Sequence, residues 1–74
     1  MVVVSLAGRD KDLLMCVVGV NTNGVLVCDG RQRPLARPKL KNPKHIKPLG
    51  RRLSDEQMRT DKAIRKALEF ISEA

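Results

Sequence analysis

Aromatic side chains are almost absent from this chain, which contains one Phe, no Trp and no Tyr among its 74 residues. Proteins that bind single-stranded nucleic acid without sequence preference commonly stack bases on several aromatic rings. Phe70 is the one ring available in this sequence. The composition therefore argues against binding through a surface of many stacked aromatic rings.

Groups for catalysis are also scarce. His45 is the single histidine, and no second titratable group stands at a recognisable spacing to form an acid–base pair with it. The sequence contains no Gly-x-Ser-x-Gly nucleophile elbow, phosphate-binding P-loop or His-Glu-x-x-His metal motif. A chain of this length holds one domain with a small core and little room for a deep cleft. We therefore expect no enzymatic activity, no cofactor and no small-molecule substrate.

Cysteine is limited to Cys16 and Cys28, each inside an apolar run. A zinc site would need a second cysteine pair or nearby histidines, which this spacing does not provide. A thiol in an apolar run behaves as a small hydrophobe. The pattern therefore predicts two buried, reduced structural thiols and no metal site.

Long apolar runs and targeting signals are missing as well. The apolar start at residues 1–8 is short, has no basic leader and is followed at once by charged residues. Such a segment has the features of neither a signal peptide nor a membrane span. We therefore expect a cytoplasmic protein without a membrane partner.

Acidic residues are absent from residues 31–52, whereas each flanking segment is nearly neutral with a net charge of −1. This central basic segment contains nine bases: Arg31, Arg33, Arg37, Lys39, Lys41, Lys44, Lys47, Arg51 and Arg52. A basic block between nearly neutral flanks is typical of a protein that binds a polyanion such as nucleic acid. A solvated face kept for solubility and an anionic lipid surface are the alternatives. The sequence has no lipidation signal, and no amphipathic helix with a broad apolar face stands beside the block.

The first thirty residues have the pattern of an antiparallel β-meander. Apolar, β-branched runs predict strands at 2–6, 13–20 and 25–28. Gly, Asn and Asp clusters at 7–12, 21–24 and 29–30 predict the turns that separate these strands.

Four prolines interrupt regular secondary structure between residues 31 and 50. They stand at positions 34, 38, 43 and 48, so that neither a helix nor a central strand can run through the segment. We predict short edge strands near 32–35 and 44–48, joined by an extended loop. Five short strands in so few residues would curl into a small barrel rather than leave long exposed edges.

Two candidate helix starts follow this segment. Residues 54–57 have the Ser-x-x-Gln form of a capping box, and Thr60 stands at a second possible start. From Asp61 onward, apolar residues recur on one face at helical spacing: Ala63, Ile64, Ala67, Leu68 and Ile71. The pattern predicts a helix over 61–72 that packs on the barrel, with docking on a partner protein as the alternative. It leaves open whether 54–72 is one helix or a turn followed by a helix.

Several segments of the chain together resemble a KOW motif. The resemblance starts in Val2-Val3-Val4-Ser5-Leu6-Ala7-Gly8-Arg9-Asp10-Lys11 and continues in Cys16-Val17-Val18-Gly19-Val20, Asp29-Gly30-Arg31 and Lys44-His45-Ile46-Lys47-Pro48-Leu49. The chain is similar over about residues 1–50 to bacterial KOW-domain RNA-binding proteins. These are akin to the archaeal and eukaryotic large-subunit ribosomal protein family numbered fourteen. The resemblance implies a mainly β fold with a C-terminal α-helix. Residues 1–50 would form a small SH3-like barrel of KOW type, and residues 53–74 a helical extension.

The same resemblance implies that the loop between the first two strands meets RNA through Gly8, Arg9 and Lys11. Asp12 departs from the pattern, because such proteins usually have glycine there and an acid would repel phosphate. We therefore rank the bases of residues 31–47 above the loop as binding residues. The full set of predicted RNA-binding residues is Gly8, Arg9, Lys11, Arg31, Arg33, Arg37, Lys39, Lys41, Lys44, His45 and Lys47. For His45, a hydrogen-bonded structural role is the alternative to a phosphate or 2′-hydroxyl contact.

Charge and resemblance together predict an RNA-binding protein of the ribosomal type. It would contact structured RNA through phosphates and shape, and the resemblance implies ribosomal RNA of the large subunit as its target. The alternative is a protein–protein adaptor of the transcription–translation machinery, which would use the barrel edge or the helix at 61–72.

Overall fold

A computed structural model describes residues 1–73 and shows one antiparallel sheet with one α-helix after it. The strands are β1 (Val2–Ser5), β2 (Leu14–Asn21), β3 (Gly24–Cys28), β4 (Lys39–Lys41) and β5 (Ile46–Pro48), and the helix is α1 (Asp61–Glu73). Their order across the sheet is β4-β3-β2-β1-β5. The predicted meander of three strands and the mainly β class with a C-terminal helix are confirmed.

The fourth and fifth strands lie later in the chain than the sequence predicted. The expected strand near 32–35 is wrong because the amides there have other partners. Asp29 Oδ1 accepts hydrogen bonds from the backbone amides of Arg31 and Arg33, and Asp61 Oδ1 accepts one from Leu35. Strand β4 therefore begins only at Lys39.

The expected strand at 44–48 is shortened at its start. A 3₁₀-helix occupies Pro43–His45, with proline at its first position. Asn42 caps this helix by accepting a hydrogen bond from the Lys44 amide through its side chain, at 2.9 Å. Strand β5 therefore covers only Ile46–Pro48.

The sheet is open, since β4 and β5 lie at its two edges and the described residues show no pairing between them. The closure predicted from the sequence is thus not seen. Both faces nevertheless bury apolar side chains. One face contains Val2, Cys16 and Cys28, and the other contains Val3, Met15 and Val27 in a second cluster whose members all come from strands.

Helix α1 packs on the first of these faces, as the sequence predicted. Ile64 and Leu68 belong to the same buried cluster as Val2 and the two cysteines, and Ile71 packs against it. The apolar side of α1 is therefore occupied within the chain. That side is not available as the docking surface that the partner-protein alternative requires.

The question of one helix or two is settled in favour of a turn followed by a helix. Ser54 and Gln57 do make the reciprocal capping contacts, since the Ser54 amide donates to Gln57 Oε1 and the Gln57 amide donates to Ser54 Oγ. A turn rather than a helix follows them. Helix α1 begins at Asp61 after Thr60, whose hydroxyl accepts a hydrogen bond from the Ala63 amide.

The two cysteines are buried free thiols, as predicted. They stand directly opposite each other on β2 and β3, with their sulfur atoms 3.8 Å apart in a hydrogen bond. That hydrogen bond and burial raise the pKa of the Cys28 thiol far above its ordinary value. Cys28 is therefore a neutral packing residue at physiological pH.

Within residues 1–73, no helix combines the length and the apolar character needed to cross a bilayer.

Candidate nucleic-acid interface

The β1–β2 loop, residues 6–13, is a compact pair of turns at one end of the sheet. The Lys11 amide donates to the Gly8 carbonyl at 3.2 Å, and the Leu13 amide donates to the Asp10 carbonyl at 2.9 Å. The Asp12 amide donates back to the Ser5 carbonyl at 2.8 Å, which closes the loop on its first strand. Gly8 has a φ of +80°, as the tight turn expected from the sequence requires. Arg9 and Lys11 are exposed on the surface of this loop.

Asp10 is the buried centre of this loop, with a side chain that is only 1% exposed. Its Oδ2 atom lies 2.9 Å from Lys39 Nζ, 3.6 Å from an Arg33 guanidinium nitrogen and 3.7 Å from Lys41 Nζ. We call these four residues the Asp10 cluster. One carboxylate thus gathers three of the nine bases of the central basic segment.

The register of the sheet explains why the two lysines reach Asp10. Lys39 pairs with Val27 and Lys41 pairs with Val25, and directly opposed residues of antiparallel strands project from the same face. Val27 and Val25 belong to or pack against the second apolar cluster. The lysine side chains therefore rise from that face, and the β1–β2 loop meets them there.

The Asp10 cluster keeps its carboxylate ionised. Burial alone raises the pKa of Asp10, because it penalises the charged form. The hydrogen bond from Lys39 and the positive charges of its three partners outweigh burial and hold the pKa below its ordinary value of 3.8. With three bases and one acid, the cluster retains a net positive charge. Asp10 Oδ1 and Arg33 Nε are buried and have no hydrogen-bond partner among the described residues.

Lys41 is buried beneath the β1–β2 loop and supports it from below. Its Nζ atom donates a hydrogen bond to the Ala7 carbonyl at 3.0 Å, and its side chain is only 6% exposed. The Ser5 hydroxyl donates to the same carbonyl at 3.1 Å. Lys39 and Arg33 are about one third exposed, so they both support Asp10 and face solvent.

The 3₁₀-helix brings two more predicted residues beside the loop. The Leu6 amide donates to the His45 carbonyl at 2.8 Å, which joins the start of the loop to Pro43–His45. Lys44 and His45 are both exposed there. Lys47 is also exposed and lies further along β5, opposite Val4. Basic side chains from three parts of the chain thus border one end of the sheet.

Arg31 and Arg37 do not pair with Asp10, unlike Arg33, Lys39 and Lys41. Arg31 makes an ion pair with Glu69 on α1. Arg37 is exposed in the loop before β4, where its amide donates to the Pro34 carbonyl at 3.0 Å. Arg31 is therefore paired with the helix, and it lines the same pocket as Asp12 and Leu13 at the end of the β1–β2 loop.

Sequence reasoning missed the central role of Asp10. Asp12, rather than Asp10, is the acid that departs from the KOW pattern. Asp10 orients Arg33, Lys39 and Lys41. The only sequence signal was an acid inside a short Gly-containing loop, and its partners are more than twenty residues away.

Comparisons with known proteins give no further guidance to this site. No model of a protein family matches the chain, and no curated protein sequence matches it. Among the described residues, no group of three or more His, Cys, Asp or Glu side chains is placed to hold a metal ion. The function must therefore be argued from charge and geometry.

Proposed function

We propose that this chain is an RNA-binding protein of the SH3-like KOW type, which contacts the phosphates of structured RNA at the end of the sheet that carries the β1–β2 loop. The observation that carries the proposal is the Asp10 cluster. It fixes the loop against β4 and leaves Arg9, Lys11, Lys44 and His45 exposed beside a centre of net positive charge. Cations grouped on one part of the surface favour contact with a phosphate backbone.

Two features of the sheet support an SH3-like barrel as the type of fold. The last strand, β5, returns to pair with the first strand, β1. The second apolar cluster has three fully buried members although helix α1 packs on the opposite face. Burial on both faces of the sheet in so short a chain favours a sheet that curls on itself, as small barrels do.

The chemistry of the exposed groups favours phosphate over base recognition. Arg9, Lys11, Lys44 and Lys47 are exposed cations, whereas base readout of single strands relies on aromatic stacking and on hydrogen bonds to base edges. If all four met phosphates, the logarithm of the affinity would fall with the logarithm of salt concentration with a slope of roughly −3 to −4. The resemblance to the ribosomal family implies large-subunit RNA as the target.

The proposal is tested with two double variants of equal charge. Arg9→Gln and Lys11→Gln remove cations at the loop, and Arg37→Gln and Arg59→Gln remove the same charge elsewhere. All four residues are exposed. Fluorescence anisotropy with a labelled RNA stem-loop should show that the loop variant binds at least about tenfold more weakly than its matched control and has a shallower salt slope. Equal losses in the two variants would contradict the site.

The ribosomal target is tested separately in native cell lysate. Sedimentation through sucrose gradients should place the protein with large subunits at low salt and release it at high salt or after RNase treatment. Migration at the top of every gradient would contradict the ribosomal target without bearing on RNA binding measured with purified protein.

The adaptor alternative has weaker support in this fold. Its helix surface would use Ile64, Leu68 and Ile71, of which Ile64 is fully buried and Leu68 nearly so, in the cluster shared with the sheet. Polar substitutions at these positions would unfold the protein rather than remove a partner. The adaptor's other surface, the edge of the sheet, stays a prediction.

A further inference from the structure

Phe70 is the only aromatic residue, and its side chain is left outside the core. The residue is 70% exposed, whereas Ile64 and Leu68 on the same helix are buried against the sheet. A single exposed apolar residue is ordinary on protein surfaces and by itself indicates no function. The residues around Phe70, however, indicate a binding site.

Phe70 lines an open groove between α1 and the segment that follows β5. Ala67 and Ile71 lie with it on the helix side, and Arg51, Arg52 and Gln57 line the other side. The lining residues found among residues 1–73 include two bases and no acid. The groove therefore pairs one exposed flat ring with two guanidinium groups, and it suits a ligand that is anionic and has a flat apolar part.

The walls of this groove are held in place by the backbone. The Val2 amide donates to the Arg51 carbonyl at 2.8 Å, and the Leu49 amide donates to the Val2 carbonyl at 3.0 Å. Further along, the reciprocal contacts between Ser54 and Gln57 fix the turn. A fixed site loses less conformational entropy when a ligand binds.

The exposed side of α1 adds charge of the same sign beside the groove. Lys66 stands four residues before Phe70, and Lys62 stands four residues before Lys66, so these side chains follow one line along the helix. All three are exposed.

We propose that this groove binds an unpaired nucleotide of the RNA, with its base stacked on Phe70 and its phosphates on Arg51 and Arg52. The inference rests on the proposed RNA-binding function and adds a second, chemically different contact to it. A nucleotide combines a flat π-face with an anion, which matches the ring and the two guanidinium groups. A protein partner would anchor side chains in an enclosed pocket, whereas this groove is open to solvent.

The test uses a tryptophan as a reporter at the site. The chain has no Trp, so Phe70→Trp creates a single fluorophore that stacking quenches. Val20→Trp is the matched control, since Val20 is 75% exposed on β2 and does not line the groove. The probes are a short oligoadenylate, a blunt RNA duplex without unpaired bases and an acidic peptide rich in Leu and Glu.

We expect oligoadenylate to quench Phe70→Trp emission by about twofold or more, and the duplex and the peptide to leave it unchanged. The emission of Val20→Trp should not respond. In anisotropy measurements, Phe70→Ala and Phe70→Leu should both weaken oligoadenylate binding by about 5- to 100-fold, because leucine is apolar but offers no ring for stacking. Duplex affinity should stay as in the wild type.

The outcomes separate this inference from the proposed function. Oligoadenylate binding without quenching of Phe70→Trp would overturn the inference and leave RNA binding standing. Quenching by the acidic peptide alone would overturn it and assign the groove to a protein partner. Failure of the wild-type protein to bind duplex or oligoadenylate at low salt would overturn the proposed function and the inference with it.

Discussion

Lys39 Nζ donates a hydrogen bond to Asp10 Oδ2 at 2.9 Å, and this contact ties the β1–β2 loop to edge strand β4 across 29 positions of sequence. The same oxygen lies within ion-pair distance of Arg33 and Lys41. Without Asp10, three cations from one acid-free segment would face each other around a buried centre. The carboxylate therefore determines both the position of the loop and the arrangement of charge around it.

Asp10→Asn should destabilise the fold. Asparagine keeps the size of the side chain but leaves three cations without their counter-charge, and breaking a buried ion pair is costly. We expect a loss of roughly 2–3 kcal/mol in the free energy of unfolding, because the partial exposure of Lys39 and Arg33 moderates the penalty. Urea unfolding followed by circular dichroism measures it.

The control for this variant is Asp55→Asn, in the exposed turn before α1. It makes the same chemical change and should alter stability by no more than about 0.5 kcal/mol. Equal effects of the two substitutions would show that Asp10 has no special structural role.

The stability should also depend on pH through Asp10. Its folded-state pKa lies below the ordinary value of 3.8, so the ionised carboxylate stabilises the folded state. This contribution is fully present above the unfolded-state pKa and is lost as the pH falls through that value and then through the folded-state pKa. The difference in unfolding free energy between wild type and Asp10→Asn should therefore shrink from about pH 5 downward. A difference that stays constant on acidification would contradict the assignment.

The sequence predicts those elements whose signals lie within a few neighbouring residues. The three strands of the meander follow from β-branched runs and Gly-Asn turns, and α1 follows from its periodic apolar face. The position of β4 could not be predicted, because Asp29 and Asp61 take up the amides of 31, 33 and 35 through side-chain contacts. Periodicity does not reveal such bonds.

The candidate site was predictable in composition but not in arrangement. The charge pattern predicts the basic segment 31–52 but does not show which of its bases are paired with acids. The fold gives them different roles, since Lys41 is buried under the loop and Arg31 pairs with Glu69. Whether a base is free depends on acids that are distant in sequence, and only the tertiary structure brings those acids near.

Gly30→Ala should destabilise the contact between the β3–β4 loop and α1. Gly30 has a φ of +79°, and a Cβ atom there would stand 2.3 Å from the Asp61 carbonyl oxygen. Gly50→Ala is a matched control, because Gly50 has a φ of +72° and nothing lies within 4 Å of its added Cβ. We expect losses of at least about 3 kcal/mol at Gly30 and about 1 kcal/mol at Gly50 in urea unfolding. Similar losses at both positions would contradict the close approach to α1.

Asp12→Gly should strengthen RNA binding without harming the fold. Asp12 is the only non-glycine residue with a positive φ among the described residues, at +72°, which gives a backbone reason for the glycine that the KOW pattern has at this position. Glycine adopts this conformation freely, so we expect a change in unfolding free energy within about 0.5 kcal/mol, and a loss of about 1 kcal/mol for Asp12→Ala.

The same substitution, Asp12→Gly, removes a negative charge beside Arg9 and Lys11 in the chain. It should raise the affinity for an RNA stem-loop by about a few fold at low salt, and the gain should fade as salt screens the charge. Asp12→Asn separates the two effects, because it removes the charge while tolerating the left-handed conformation. If Asp12→Asn and Asp12→Gly both leave the affinity unchanged in anisotropy titrations, phosphate does not approach this loop, and the proposed site must lie elsewhere on the protein.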